Sequence, residues 1–382
     1  MSHARLRRLT PVFALAAAFS ASPARAQYEV GAGVDYLSYA FDAGLGADAA
    51  QLFMIPVALR VPATSALSFD VYSAWAEGRV ERADTVYKLS GPVDTGVRAA
   101  YQATPWALVT VGANVPTGDA QHDGQEAIVA ALLSTDLLGF REASWGRGLA
   151  LTGSVAIARS MGNFGLGLAG AYSMRSKFTP TAGDSLEYQP GDETRVRLGI
   201  DRNFGNSTLT LGGTFINYTI DQANGLNLFQ AGQRFRFDAT YAFRMGAGVW
   251  TIYAADLIRQ GGTLTLPNLD SQGVPLPNTF TDINTPKQNL TIAGFMGSME
   301  IGGGFVFRPH VDFKLQSRED SAGSDAGSGW LVAAGGDIPM RIFGGHDFFP
   351  KGRVLIGSLK DATGGGVRVF GMEFRGTVRA SF

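Results

Sequence analysis

The chain has 382 residues, no cysteine and nearly balanced charge, with 32 lysine and arginine residues against 33 aspartate and glutamate residues. The absence of cysteine excludes a disulfide framework, a thiolate metal site and a cysteine nucleophile. Because the chain lacks the basic excess typical of nucleic-acid-binding proteins, we expect no nucleic-acid partner.

The first residues have the organisation of a secretory signal peptide. An arginine-rich start precedes an apolar stretch around residues 12–19, and a small-residue cleavage pattern ends at Ala26. The apolar stretch is shorter than the roughly 20 residues that a helix needs to cross a bilayer. We therefore predict a signal peptide at 1–26 and a single mature domain at 27–382.

Apolar and polar side chains alternate along most of the mature chain. Between residues 305 and 316, one face carries phenylalanine, valine and leucine, and the other carries charged or polar side chains. A period of two residues predicts strands with one apolar face and one charged face. No mature segment offers 18 consecutive apolar residues, so we expect no membrane-spanning helix.

About sixteen such strands are predicted, at 27–40, 51–61, 65–77, 91–103, 106–115, 147–160, 162–177, 191–204, 206–220, 230–245, 248–260, 288–300, 303–317, 329–342, 351–360 and 366–382. Short turns alternate with longer polar connections, which we place at 41–50, 78–90, 116–146, 178–190, 221–229, 261–287 and 318–328. The first two strands and the fifteenth have the weakest alternation, so the predicted range is 12 to 16.

The last strand ends on an aromatic residue, Phe382. This ending resembles the closing strand of Gram-negative outer-membrane β-barrels, in which the terminal phenylalanine and the apolar positions before it are read by the barrel assembly machinery. The resemblance implies an all-β fold, a transmembrane antiparallel β-barrel in the outer membrane, with membrane lipids and the assembly machinery as partners. Alternation alone would also fit a soluble β-sandwich.

The third long connection differs from the others because it contains a helical pattern at about 124–138. Two interpretations are open. The segment folds into the lumen as a constriction, as the third external loop does in general diffusion porins, or it covers the mouth of the barrel. If it folds inward, we expect four acidic side chains to oppose lumenal arginines and create a transverse field: Asp119, Asp123, Glu126 and Asp136.

A short motif begins this connection, Asn114-Val115-Pro116-Thr117-Gly118-Asp119. It resembles a motif of outer-membrane transporters encoded with phenol-degradation pathways, which would imply a selective channel for hydrophobic or aromatic compounds. The simpler interpretation is a strand that ends in a Pro-Gly turn.

The parity of the strands predicts which charged side chains line the lumen. The predicted pore-lining set is Arg195, Arg197, Arg234, Arg236, Asp238, Arg244, Arg308, His310, Asp312, Lys314 and Arg375. Its excess of arginine favours anionic solutes. Alternatively, cross-strand pairs of opposite charge brace the wall and leave no net field.

The sequence therefore predicts an outer-membrane pore for passive or facilitated diffusion of small solutes, with a preference for anions. The alternatives are the hydrophobic channel and a structural barrel without flux. No G-x-S-x-G elbow or paired-histidine metal spacing is present, so we expect neither enzymatic activity nor a cofactor or metal. A homotrimer is compatible with a porin of this length.

Overall fold

The computed structural model describes residues 28–42, 46–140, 145–269, 272, 275–302, 305–319, 327–342, 346–360 and 364–382. The predicted signal peptide lies outside the described residues. The strands are β1 Glu29–Phe41, β2 Ala49–Pro62, β3 Leu67–Arg82, β4 Thr85–Pro92, β5 Thr95–Thr104, β6 Ala107–Val115, β7 Ala150–Met161, β8 Phe164–Arg175, β9 Tyr188–Gln189, β10 Glu193–Asn203, β11 Ser207–Tyr218, β12 Asp221–Ala223, β13 Leu226–Gln230, β14 Arg234–Met245, β15 Gly248–Arg259, β16 Thr263–Leu269, β17 Pro275–Asn284, β18 Lys287–Gly297, β19 Met299–Gly302, β20 Phe305–Glu319, β21 Gly329–Asp337, β22 Met340–Arg341, β23 Asp347–Lys360 and β24 Gly366–Ser381. One α-helix, α1, spans Gly124–Leu133.

Nineteen of the described strands form one antiparallel sheet that closes on itself, because β1 pairs with β24. Three wall strands are interrupted and count as pairs, β4 with β5, β18 with β19 and β21 with β22, so the described wall has sixteen strands. The predicted closed barrel is confirmed at the upper end of its range. The first and last described residues lie side by side at the closure, where the Tyr28 backbone N–H donates to the Phe382 carbonyl over 3.1 Å.

The alternation in β24 shows why these sequences form a barrel wall. Phe370, Met372 and Phe374 point outward and are about half exposed (49%, 53% and 50%), whereas Glu373 points inward and is 6% exposed. A β-barrel satisfies all of its backbone hydrogen bonds internally, so its outer face can be apolar and contact lipid. The apolar sides of the strands therefore face the membrane and the charged sides face the lumen.

Tight turns connect the wall strands at the end of the barrel where Tyr28 and Phe382 lie. Gly162, Gly205 and Gly246 adopt positive φ angles of 61°, 67° and 62° there, a conformation that glycine adopts without steric cost. The predicted positions of these turns are confirmed. Short turns are typical of the periplasmic end of such barrels.

The long connections at the opposite end contain more strand than predicted. The predicted polar connection 78–90 is wrong, because β3 and β4 continue outward as a paired hairpin that turns at Ala83 and Asp84. The Ala83 N–H donates to the Asp48 carboxylate over 2.7 Å, which holds this turn against the preceding connection. Above the wall, β9, β12, β13, β16 and β17 form a second, five-stranded sheet.

The buried apolar core lies inside the barrel. It joins inward-facing wall residues, including Tyr39, Leu52 and Val80, with residues of the third long connection. The described residues contain no helix that is long and apolar enough to cross a membrane.

Candidate solute pathway

Helix α1 begins with a complete capping box. The Asp123 carboxylate accepts hydrogen bonds from the backbone N–H groups of Gln125 and Glu126, both over 2.8 Å, and the Glu126 carboxylate accepts from the Asp123 N–H over 3.1 Å. These bonds satisfy backbone donors that have no partner within the helix. The helix ends at Leu133, five residues before the predicted end, because the following serine, threonine and aspartate are weak helix formers.

The segment that follows residue 116, which we call the strap (the described residues of 116–146), lies inside the barrel mouth. Val129 and Leu133 of α1 are buried against the inner face of β3, and Leu137 and Leu138 are also buried. The Tyr39 hydroxyl donates to the Leu138 carbonyl over 2.5 Å, and Lys314 Nζ donates to the Leu137 carbonyl over 3.2 Å. The strap therefore folds into the lumen rather than over it.

Gly78 creates the space that α1 occupies. A Cβ atom at this position would lie 2.5 Å from Leu133 Cδ1 and 2.9 Å from Val129 Cγ1, whereas a Cβ at the neighbouring Gly91 would meet nothing within 4 Å. Because a side chain at this position would overlap α1, the glycine at position 78 allows the helix to pack against the wall.

We expect Gly78→Leu to displace α1 from the wall, because the added side chain would overlap two core residues. Overpacking of this kind costs about 1–3 kcal/mol. Planar-bilayer recordings should show an altered single-channel conductance and more open-channel noise. Gly91→Leu, on the neighbouring strand, is the matched control and should behave as wild type. Equal conductance for both variants would contradict the assigned packing.

One buried carboxylate fastens both ends of the strap. Asp94 accepts hydrogen bonds from the backbone N–H groups of Gly118 (3.2 Å), Gly146 (2.8 Å) and Arg147 (3.0 Å). Thr117 Oγ1 adds a hydrogen bond to the Val93 carbonyl over 2.8 Å. The motif at 114–119 thus has a structural role, since it brings the beginning of the strap to the residue that also holds its end.

The strap leaves an open cavity of about 340 Å³ on the far side of the lumen. Five arginines of β10, β14 and β15 line it, and we call them the arginine wall: Arg195, Arg197, Arg234, Arg236 and Arg259. Four of them come from the predicted pore-lining set. The side chains of Arg195 and Arg236 are 52% and 53% exposed, so water reaches their guanidinium groups.

Three carboxylates compensate part of this charge. Asp238 binds Arg197 through two hydrogen bonds of 2.7 and 2.8 Å and lies 3.7 Å from Arg236. Glu193 lies 2.5 Å from Arg195. The third carboxylate is that of Asp136, which belongs to the strap.

Asp136 is the strap residue that reaches the arginine wall. Its carboxylate accepts from Arg259 over 3.0 Å and from Gln288 Nε2 over 2.9 Å, which ties the strap to β15 and β18. Within the described residues, five arginines of the wall therefore share three carboxylates, and Arg234 takes part in no ion pair. Arg234 instead lies over the Tyr218 ring at 4.9 Å.

The other three acids of the predicted constriction occupy local roles. Asp123 and Glu126 form the capping box, and Asp119 accepts from the Gln121 N–H over 3.1 Å. Glu126 also lies 3.9 Å from His122 Nδ1. Within the described residues no ion pair joins these acids to an arginine, so the expected row of four opposed acids is reduced to Asp136.

The remaining predicted pore-lining residues fall mostly in a second, drier group. Asp312 and Arg375 belong to an ion-pair cluster on β1, β20, β23 and β24, in which Arg353 bridges Asp312 and Glu373. Arg375 binds Glu373 and Asp35, both at 3.0 Å. Glu373 is 5% exposed at its side chain, so this cluster is packed and internally compensated rather than open to solutes.

The last members of the set lie around this cluster or near the turn end. His310 is buried among its groups, and Lys314 contacts the strap. Arg308 lies 3.6 Å from Asp337. Arg244 is exposed near the short-turn end of β14. The predicted set thus divides among the arginines that line the cavity, the buried ion-pair cluster with its neighbours, and Arg244 near the short turns.

Two residues that matter here are absent from the predicted pore-lining set. Arg259 completes the arginine wall, and it shares the inward parity of Leu257 and Tyr253 on β15. Arg353 centres the ion-pair cluster on β23, the strand whose alternation was among the weakest. Parity could have identified Arg259, but its contact with Asp136 depends on the path of the strap.

No protein-family model matches the sequence, and no curated protein matches it. Solved structures do match. A BenF-like porin from Pseudomonas fluorescens Pf-5 matches with a TM-score of 0.51 and 11% identity, over 94% of this chain and 98% of that one. Pseudomonas aeruginosa OccK10 (OpdN) matches with a TM-score of 0.49 and 13% identity, over 94% and 100%. A loop L8 deletion mutant of OmpT, an outer membrane protein of Vibrio cholerae, matches with a TM-score of 0.44 and 10% identity, over 93% and 100%.

The chain has the fold of outer-membrane porins. At these identities the likeness concerns the fold, and the apolar outer face adds the physical reason for membrane contact. The predicted resemblance to Gram-negative outer-membrane β-barrels and the predicted outer-membrane location are confirmed.

The prediction that this porin-fold chain is not an enzyme needs correction. Several of the similar structures are of OmpT, described as an outer membrane protein and not as a porin or channel, and their identities of 9–10% resemble those of the porins. A shared fold at about 11% identity does not establish whether the chain has catalytic activity.

Proposed function

We propose that the chain is a pore through which small hydrophilic solutes cross the outer membrane passively, with a preference for anions such as small carboxylates. The observation that carries this proposal is the arginine wall, in which five arginines share three carboxylates beside an open cavity. Clustered charge of one sign concentrates oppositely charged solutes. Arginine also binds carboxylates in a bidentate manner.

The packing of the strap argues against the hydrophobic channel. Leu137 is fully buried and Leu138 is 2% exposed, so these apolar side chains contribute to the core rather than to a track for an apolar solute. Assembly by a machinery that reads Phe382, association into a homotrimer and export through the signal peptide belong to this proposal as further predictions.

Two measurements on the purified protein test the proposal. Liposomes that contain it should swell in solutions of small sugars, and planar bilayers under a KCl gradient should show a reversal potential displaced toward that of chloride. Protein-free liposomes provide the control. Absence of swelling would overturn the pore and favour a structural barrel, whereas swelling with a potassium preference would overturn only the anion preference.

A further inference from the structure

Two arginines lie on the outer, lipid-facing surface at the short-turn end of the barrel. Arg159 of β7 shares the outward parity of Ile157, and Arg202 of β10 shares that of Ile200; the two isoleucines are 41% and 40% exposed. Both arginines are exposed. They face away from the lumen and play no part in the proposed pore.

Arg202 is held between two aromatic rings. Its guanidinium carbon lies 4.8 Å from the centre of the Phe164 ring and 4.7 Å from that of Phe204. Both rings are exposed on the same outer surface, at 44% and 47%. Stacking of this kind fixes the plane of the guanidinium group while its N–H edge stays available.

Strand register brings Arg159 close to Arg202 and its two aromatic rings. Arg202 pairs with Phe164 of β8, and Arg159 pairs with Leu166, two residues further along the same strand. Strand spacing and rise put the two Cα atoms roughly 12 Å apart. Two arginine side chains of ordinary length can meet around one anion across this separation.

No carboxylate compensates these two charges in the described part of the chain. Asp201, next to Arg202, points to the opposite face and accepts from Thr210 Oγ1 over 2.7 Å. An arginine on the lipid-facing surface is strongly destabilising at the bilayer midplane but is tolerated at little cost near the interface. Arg202 lies three residues before Gly205 in the turn, and therefore at the level of the lipid headgroups.

We propose that Arg202 and Arg159 form a binding site for the phosphate group of a phospholipid in the leaflet next to the short turns. The planar guanidinium of Arg202, fixed by Phe164 and Phe204, donates two parallel hydrogen bonds to phosphate oxygens, and Arg159 contributes the second charge. The acyl chains then lie against the apolar outer faces of β7, β8 and β10. This site depends on the barrel fold and not on the proposed pore.

Native mass spectrometry of the detergent-purified protein, titrated with phosphatidylglycerol, tests the site. A basic residue at a membrane surface contributes about 1 kcal/mol of attraction, which corresponds to roughly fivefold in affinity. We expect Arg202→Gln and Arg159→Gln each to weaken phosphatidylglycerol binding about fivefold, and the double variant roughly 25-fold. Arg202→Lys should retain part of the affinity, and Phe164→Leu with Phe204→Leu should lose part of it.

The controls separate phosphate recognition from acyl-chain adhesion. Arg244→Gln removes an arginine from the same end of the barrel but from its lumenal face, and it should bind phosphatidylglycerol as wild type does. Diacylglycerol with the same acyl chains should bind every variant with the same affinity as it binds the wild type. The proposal would be overturned by a double variant with wild-type affinity, by equal binding of diacylglycerol and phosphatidylglycerol to the wild type, or by binding of inorganic phosphate without binding of the lipid.

Discussion

The double variant Arg234→Glu/Arg236→Glu is expected to reverse the anion preference that we propose for the channel and to make it prefer cations. Both side chains line the cavity beside the strap, and Arg234 has no ion-pair partner among the described residues. A unit charge about 4 Å from a passing ion changes its energy in water by about 1 kcal/mol, or roughly fivefold in relative permeability. The four-unit change in charge should therefore reverse the sign of the reversal potential under a KCl gradient.

A control for this result must change the same net charge outside the lumen. Arg79→Glu/Arg368→Glu meets this requirement, because both side chains lie at the external end, where Arg79 contacts Glu77 and Arg368 contacts Asp42. It should leave the ion preference close to that of wild type. The neutral variant Arg234→Gln/Arg236→Gln should fall between wild type and the glutamate variant. If control and lumenal variants shift the potential equally, the arginine wall does not set selectivity.

Asp94→Asn is expected to loosen the strap and raise the single-channel conductance. Asp94 holds three backbone N–H groups from both ends of the strap, and a hydrogen bond to a charged group contributes about 1.5–3 kcal/mol. The asparagine amide keeps one acceptor oxygen in a similar volume, so some of these three hydrogen bonds are lost while the wall keeps its packing. Larger sugars should then enter in liposome-swelling assays.

A second readout reports the position of the strap directly. Trp145 directly precedes Gly146, whose N–H donates to Asp94, and it is 5% exposed, so its indole should become accessible to acrylamide quenching when the strap detaches. Comparison with a Trp145→Phe background isolates its signal from that of the other tryptophans. Asp42→Asn, which breaks an exposed ion pair with Arg368 at the rim, is the matched control and should change neither quenching nor conductance. Unchanged conductance together with increased quenching would show that the strap does not limit flux.

The alternation of side chains along the strands predicts which residues point into the lumen, but it does not predict which of them line the cavity. Arg195, Arg197, Arg234 and Arg236 lie along one cavity, on the faces that alternation indicates, because a strand's side chains alternate regardless of what surrounds it. Parity could not separate these cavity-lining arginines from Arg375, which also points inward but lies in the packed ion-pair cluster. Water access depends on which part of the lumen the strap fills.

The amino-acid sequence by itself determined the barrel, its closing strand, the short turns and the start of α1, because each depends on a period of two or on a cap within a few residues. The tertiary structure alone decided the path of the strap, the pairing of Asp136 with Arg259 and the shape of the remaining opening. These features rest on contacts such as Tyr39 with Leu138 and Lys314 with Leu137, which join residues 99 and 177 positions apart. Such contacts form only when the closed wall has brought distant strands around the same lumen.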